Sequence, residues 1–217
     1  GHCRKAEWSV VPAELRDAER TASKSQQADD GEFSRKIDSQ DEDIGSRAVI
    51  RNARELVWDP SEVDTSIRTG WFYHPEENTD VRTADELLDI YLDAVGANAS
   101  LLLNIPPDTH GRIAAPDCAS LAELGTKIQQ IFASNVTEKA AITADSAIAQ
   151  HPITQAVDGM ADTYWQAAYG QEFDTITLKF PKPQKVSCVV LGEHLPTGQR
   201  IESGEIWADG SKVSEFT

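Results

Sequence analysis

Cysteine is scarce in this chain of 217 residues, with Cys3, Cys118 and Cys188 the full set. The count is odd, and no CxxC pair or Cys/His cluster accompanies it. This argues against a disulfide framework and a structural zinc site, and leaves buried free thiols as the expectation. Long apolar runs are missing too. No stretch approaches the roughly 18 residues of a membrane-spanning helix, so membrane insertion is not expected. Basic charge is in short supply, 20 Lys and Arg against 36 Asp and Glu, for a formal net charge of −16. An acidic surface repels phosphate backbones and anionic lipid, which argues against nucleic acid as a partner and leaves neutral ligands such as sugars open. No charged-then-apolar leader is visible, and that absence leaves export undecided.

What the chain does contain is ordinary for a globular protein: 40% hydrophobic and 26% charged residues, at a length that suits one large or two small domains. Residues 1–12, with Val10-Val11-Pro12, read as a short buried strand, and Glu7 beside Trp8 is a carboxylate at its edge. Residues 14–47 are almost wholly polar. Within them, "DDGEFSRKIDSQDED" holds seven acids and two bases. Asp41 and Asp43 are followed by Ile44 where a calcium loop needs Gly, and no Glu closes the loop, so a solvated loop is expected.

Periodicity then predicts alternating elements. "SRAVIRNARELVWDP" places Val49, Ala53, Leu56 and Val57 on one helical face. "SEVDTSI" alternates as a strand and leads into "RTGWFYHPEE", where three aromatics arrive together. Thr83 and Glu86 form a capping box for a helix with a stripe of Leu87, Leu88, Tyr91, Leu92 and Val95, closed by Gly96. "SLLLNIPP" is an apolar strand of the kind a covered parallel sheet requires. A last helix, "PDCASLAELGTKIQQIFA", follows with Asp117 as its expected N-cap and Leu121, Leu124, Ile128 and Ile131 facing inward.

This rhythm is α/β and fits the closing units of a (β/α) barrel, with too few strands to close one. From about residue 134 the helical periods stop. "TITLKF", "VSCVVLGEH" and "RIESGEIWADG" read as short strands punctuated by Gly and Pro, the pattern of an antiparallel β-sandwich. The expected division is therefore 1–133, the C-terminal part of a barrel expected to be incomplete at its start, and 134–217, a truncated sandwich.

Several blocks carry a family resemblance. "IRTGWFYHPEE" and "LLLNIPPDTHGRI", with the intervening helix, resemble glycoside hydrolase family 29, the α-L-fucosidases. "RKAEWSVVP" and "DEDIGSRAVIRNARELVWDPSEVDTSI" resemble the branch of that family selective for α-1,3/1,4-linked fucose. The resemblance covers residues 1 to about 133. It implies retaining hydrolysis of terminal fucosyl linkages on a fucosylated oligosaccharide or glycoconjugate. An Asp would be the nucleophile and a Glu the acid/base, with no catalytic metal or other cofactor, in a secreted or periplasmic protein. The nucleophile is expected on an earlier strand outside this chain, and the acid/base just before Gly1. Glu7 is the nearest carboxylate present and reads either as that acid or as a supporting neighbour.

By the same resemblance Trp71, Tyr73, His74 and Asn104 are candidates for substrate binding. Trp71 reads equally as a flat wall for fucose or as barrel-end packing, and Phe72 as core. His74 reads as an exposed loop residue or part of the pocket mouth. Asn104, at the C-terminal end of its strand, is expected to hold the pocket loop by hydrogen bonds rather than to touch sugar. "ITQAVDGMADTYWQA" and the strands after it resemble the coagulation factor V/VIII type C, or discoidin, domain, a galactose-binding-like sandwich. That resemblance implies a structural calcium site at Asp158, Asp162 and Thr163; a metal-free turn with an Asx cap is the alternative. The rival function is a non-catalytic carbohydrate-binding protein that works through the sandwich. The oligomeric state is left open.

Overall fold

The computed structural model describes residues 10–13, 51, 53–58, 60, 62–197 and 200–216. Cys3, Glu7 and the whole polar 14–47 stretch lie outside the described residues. Two compact units emerge. One draws on the chain up to Gly125 and again from Leu191, and the other is Thr126–Val190.

In the first unit, β1 (Val10–Pro12) pairs antiparallel with β2 (Leu56–Trp58). Val10 is buried. The helical reading of Leu56 and Val57 is thus corrected. A short apolar run followed by proline has no fixed period, and pairing with a distant strand decides its form. At the centre, β3 (Glu62–Ser66) and β4 (Ser100–Asn104) form a parallel pair, registered from Glu62 opposite Ser100 to Ser66 opposite Asn104. Val63 and Thr65 turn inward and Glu62 and Asp64 outward, the alternation expected of a half-covered strand. On β4, Leu102 is 52% exposed, so its second face is open rather than covered.

Parallel strands need a crossover, here α1 (Ala84–Val95). Its start follows from local chemistry. The Thr83 hydroxyl accepts from the Glu86 N–H at 3.3 Å, and Glu86 Oε2 accepts from the Thr83 N–H at 2.8 Å. Removing that hydroxyl by Thr83→Ala should cost about 1 kcal/mol, read as a lower denaturation midpoint. The backbone N–H of Thr83, and then its hydroxyl, hold the Glu86 carboxyl below its ordinary value. A lowered carboxyl contributes stability that is present above its unfolded pKa and lost as pH falls through its folded one. The difference between Thr83→Ala and the parent should therefore narrow in acid.

The buried stripe of α1 differs from the expected one. Ala84, Leu87 and Ala94 are buried, whereas Leu92 and Val95 are 36% and 41% exposed. Gly96 also keeps a right-handed backbone, and the positive φ of the turn falls on Asn98 (66°). After β4, α2 (Ala115–Phe132) buries Leu124, with Leu121, Ile128 and Ile131 half-buried. Asp117 sits inside its first turn, fully buried, not at the N-cap. Cys118 and Cys188 are exposed free thiols, against the expectation of burial. The unit also contains the hairpin β7 (Gly204–Ala208) and β8 (Ser211–Phe216).

In the second unit β5 (Ala141–Ala144) pairs antiparallel with β6 (Ile176–Lys179). A polar knot ties the chain beside them. The Asp174 carboxylate accepts from the N–H of Asp145 (3.1 Å) and from the N–H and hydroxyl of Ser146. Trp165 Nε1 donates to Ser146 O at 3.0 Å. The expected strand over 186–194 does not form, and the described sheets are two-stranded pairs. An apolar run gains strand structure only when a neighbouring strand accepts its backbone groups, and this run has no such neighbour among the described residues.

Candidate functional site

Ligands of parallel α/β sheets gather at the C-terminal ends of the strands. In this chain those ends are Ser66 and Asn104, side by side in the register. The loop 68–81 leaves from that point and returns to it. Arg82 closes its base, donating its N–H to Ile67 O and its Nε to Ser66 O, both at 3.0 Å. A loop whose ends are tied together in this way can present side chains without fraying.

The near leg of the loop is held by Asn104 and Ser66. Asn104 Nδ2 donates to Trp71 O at 3.0 Å and to Ser66 Oγ at 3.1 Å, and Ser66 Oγ donates to Gly70 O at 2.8 Å. Thr69 Oγ1 donates to Asp80 Oδ2 at 3.0 Å across the loop. The far leg contains a short 3-10 helix, Pro75–Thr79. There Asn78 Nδ2 donates to the Tyr73 hydroxyl at 3.3 Å.

The structure brings Trp71, Tyr73, His74 and Asn104 onto or beside this one loop. Trp71 is 51% exposed and His74 is exposed, while Tyr73 and Asn104 are half-buried. Phe72 is 77% exposed, which corrects its reading as core. Trp71 and Phe72 thus form an apolar, solvent-facing edge on a pinned backbone, and His74 Nδ1 lies 3.9 Å from Glu76 Oε1. Such an edge offers flat apolar surface with polar groups alongside, the composition that sugar-sized ligands require.

Sequence reasoning missed the residues beneath the loop. Arg68 and Asp117 are both fully buried and form a bidentate pair, Nε to Oδ2 at 3.0 Å and Nη2 to Oδ1 at 2.8 Å. The remaining guanidinium donors reach Asn78 Oδ1 (2.9 Å) and His74 O (3.4 Å), and the cation lies 4.8 Å from the Tyr73 ring centre. The available signal was an Arg at a strand end directly before an aromatic cluster.

Asp158, Asp162 and Thr163 lie in the second unit, in a tight turn. Gly159 takes φ +75°, the left-handed region that only glycine enters freely. Asp158 Oδ1 accepts from the Met160 N–H at 2.9 Å, and the Thr163 hydroxyl lies 2.7 Å from Asp158 Oδ2. Calcium takes six to eight oxygens. The side-chain oxygens that converge here come from Asp158 and Thr163 and already bond to each other, and among the described residues no cluster of three or more His, Cys, Asp or Glu side chains could hold a metal. As placed, these side chains make the bonds of an Asx turn, and a calcium ion there would need backbone carbonyls to complete its shell. Asp158→Ala should destabilise the unit by about 1 kcal/mol through the lost turn bonds, read as a lower melting temperature in calcium-free buffer. A calcium ion bound at this turn would add a calcium-dependent rise in the parent's melting temperature, and Asp158→Ala should cancel that rise.

Comparison with known proteins identifies the setting of the loop. The family described as Alpha-L-fucosidase matches residues 16–130. "Alpha-L-fucosidase 1" of Arabidopsis thaliana is 34% identical over 151 residues, covering 67% of this chain and 29% of that protein. The chain spans less than a third of the length of the curated relatives it matches. Among solved structures, a Bacteroides thetaiotaomicron protein provisionally named an alpha-L-fucosidase is 27% identical with a TM-score of 0.55, over 82% of this chain and 36% of that one. A Ruminococcus gnavus fucosidase of glycoside hydrolase family 29, solved in complex with fucose, is 31% identical with a TM-score of 0.50, over 55% and 24%.

Proposed function

The chain belongs to the alpha-L-fucosidase family, and on that premise we propose that it is part of a retaining glycosidase that removes terminal α-L-fucosyl residues from oligosaccharides or glycoconjugates. The observation that carries this reading is the exposed Trp71 at the C-terminal end of a parallel strand pair, with its backbone fixed by Asn104. Fucose presents an apolar face and a methyl group. An indole held still offers them a wall at little entropic cost. Bound fucose in the Ruminococcus relative supports the same ligand class here.

Retention requires two carboxyl groups, one to attack the anomeric carbon and one to protonate the leaving oxygen and then activate water. We place both in a portion of the parent protein outside residues 1–217, with Glu7 a supporting neighbour. The loop's share of the work is binding and orientation: Trp71 as the wall, with Tyr73 and His74 at its margin. The chemistry is proposed to need no metal. A structural calcium at Asp158, Asp162 and Thr163 is a separate proposal, which the present bonding of that turn does not require.

The finer reading extends the proposal. The catalytic part would be the closing section of a (β/α) barrel ending near residue 133, followed by a discoidin-like sandwich from 134. The enzyme would act on α-1,3/1,4-linked fucose, outside the cytoplasm. Proton NMR of the reaction of the complete gene product tests the mechanism directly. The α-anomer of fucose should appear first, from 1,3/1,4-linked rather than 1,2-linked oligosaccharides. First appearance of the β-anomer would refute retention.

A further inference from the structure

The Arg68–Asp117 pair is more than a filler of the unit's interior. Taking two charges out of water costs several kcal/mol per ion, and well-packed apolar residues of the same volume usually serve stability as well or better. A buried ion pair is thus a poor device for stability alone. What distinguishes this one is where the rest of the guanidinium goes. Asp117, at the start of α2, fixes Nε and Nη2 on one side. The remaining contacts all fall on residues 73–78: the Tyr73 ring, the His74 carbonyl and the Asn78 side chain. Asn78 in turn donates to the Tyr73 hydroxyl.

The near leg of the loop has its own holder in Asn104 and Ser66. The far leg has Arg68. We propose that Arg68, oriented by Asp117, is the positioning residue of the aromatic loop: it fixes Tyr73 and the His74 backbone, and thereby the edge that meets the sugar. This deepens the reading of the site as a fucose pocket and rests on it. A planar fork suits the task because it serves a carboxylate with two parallel bonds while its other N–H groups reach elsewhere. A lysine keeps the charge but is a point donor that cannot hold Asp117 and the loop together.

The test compares four forms of the complete gene product: the parent, Arg68→Lys, Arg68→Met, and the double variant Arg68→Met with Asp117→Leu. Melting temperature, amide hydrogen exchange of residues 69–80, and kcat and KM with an aryl α-L-fucoside are measured on each. Arg68→Met alone should melt earlier, because it strands the Asp117 carboxylate. The double variant should recover the melting temperature yet leave the loop amides exchanging about tenfold faster, with β3 and β4 unchanged. KM should rise about tenfold while kcat moves less, the signature of lost binding.

A double variant with parental loop exchange and parental KM would overturn the proposal and reduce the pair to a structural contact. Should the double variant fail to regain its melting temperature, Arg68→Lys decides by the same two readings. Should the parent release no fucose at all, the functional reading fails, and loop exchange alone judges Arg68.

Discussion

Asp117→Ala is expected to lower stability by about 3–5 kcal/mol, the largest effect of any single substitution considered for this chain. The magnitude follows from asymmetry. Arg68 is fully buried, and Asp117 supplies two of its closest contacts, at 2.8 and 3.0 Å. Deleting the carboxylate leaves a guanidinium out of water with only the Asn78 side-chain oxygen and the His74 carbonyl as acceptors. Asp117→Asn keeps the shape and one acceptor oxygen, so it should lose less. The comparison is an equilibrium denaturant titration, where the midpoint should shift with little change in slope. A shift of less than about 1 kcal/mol would mean that water reaches Arg68 readily and that the pair does not bear on the loop.

Trp71→Ala should lower kcat/KM for an aryl α-L-fucoside by an order of magnitude or more in the complete gene product, equivalent to about 1.4 kcal/mol of transition-state binding. The indole is half exposed, so its removal opens no core cavity, and folding stability should barely change. Trp71→Phe keeps a flat apolar face and should retain most of the rate. The two substitutions together separate a sugar wall from general packing. Packing loss would show in the melting temperature and leave kcat/KM intact, whereas loss of the wall shows in kcat/KM. An unchanged rate in Trp71→Ala would remove that residue from the pocket.

Much of the first unit was legible in the sequence because its signals are local. The alternation of Val63 and Thr65, the Thr83–Glu86 box and the apolar run from Leu101 each announce themselves within a few residues, and each forms. What escaped depends on partners far along the chain. Leu56–Trp58 becomes a strand only because Val10–Pro12 lies against it. The run from Val186 resembles a strand but has no strand to pair with among the described residues. Asp117 looked like a cap because acidic residues favour helix starts. Its role comes instead from Arg68, 49 residues earlier, which no local pattern could reveal. The same holds for the site. The aromatic cluster 71–73 was visible as a cluster, but which ring faces water was decided by backbone bonds from Asn104 and Arg68. Phe72 was misplaced for that reason, since a hydrophobic residue in a pinned loop goes where the backbone points it.

The proposed role of residues 1–217 is to supply the sugar-orienting end of a fucosidase without its reacting carboxylates. It is tested most directly by measuring p-nitrophenol release from p-nitrophenyl α-L-fucoside with the complete gene product and with residues 1–217 alone. Turnover is expected of the complete product and none of the 217-residue chain. Turnover by residues 1–217 that Glu7→Gln abolishes would contradict it.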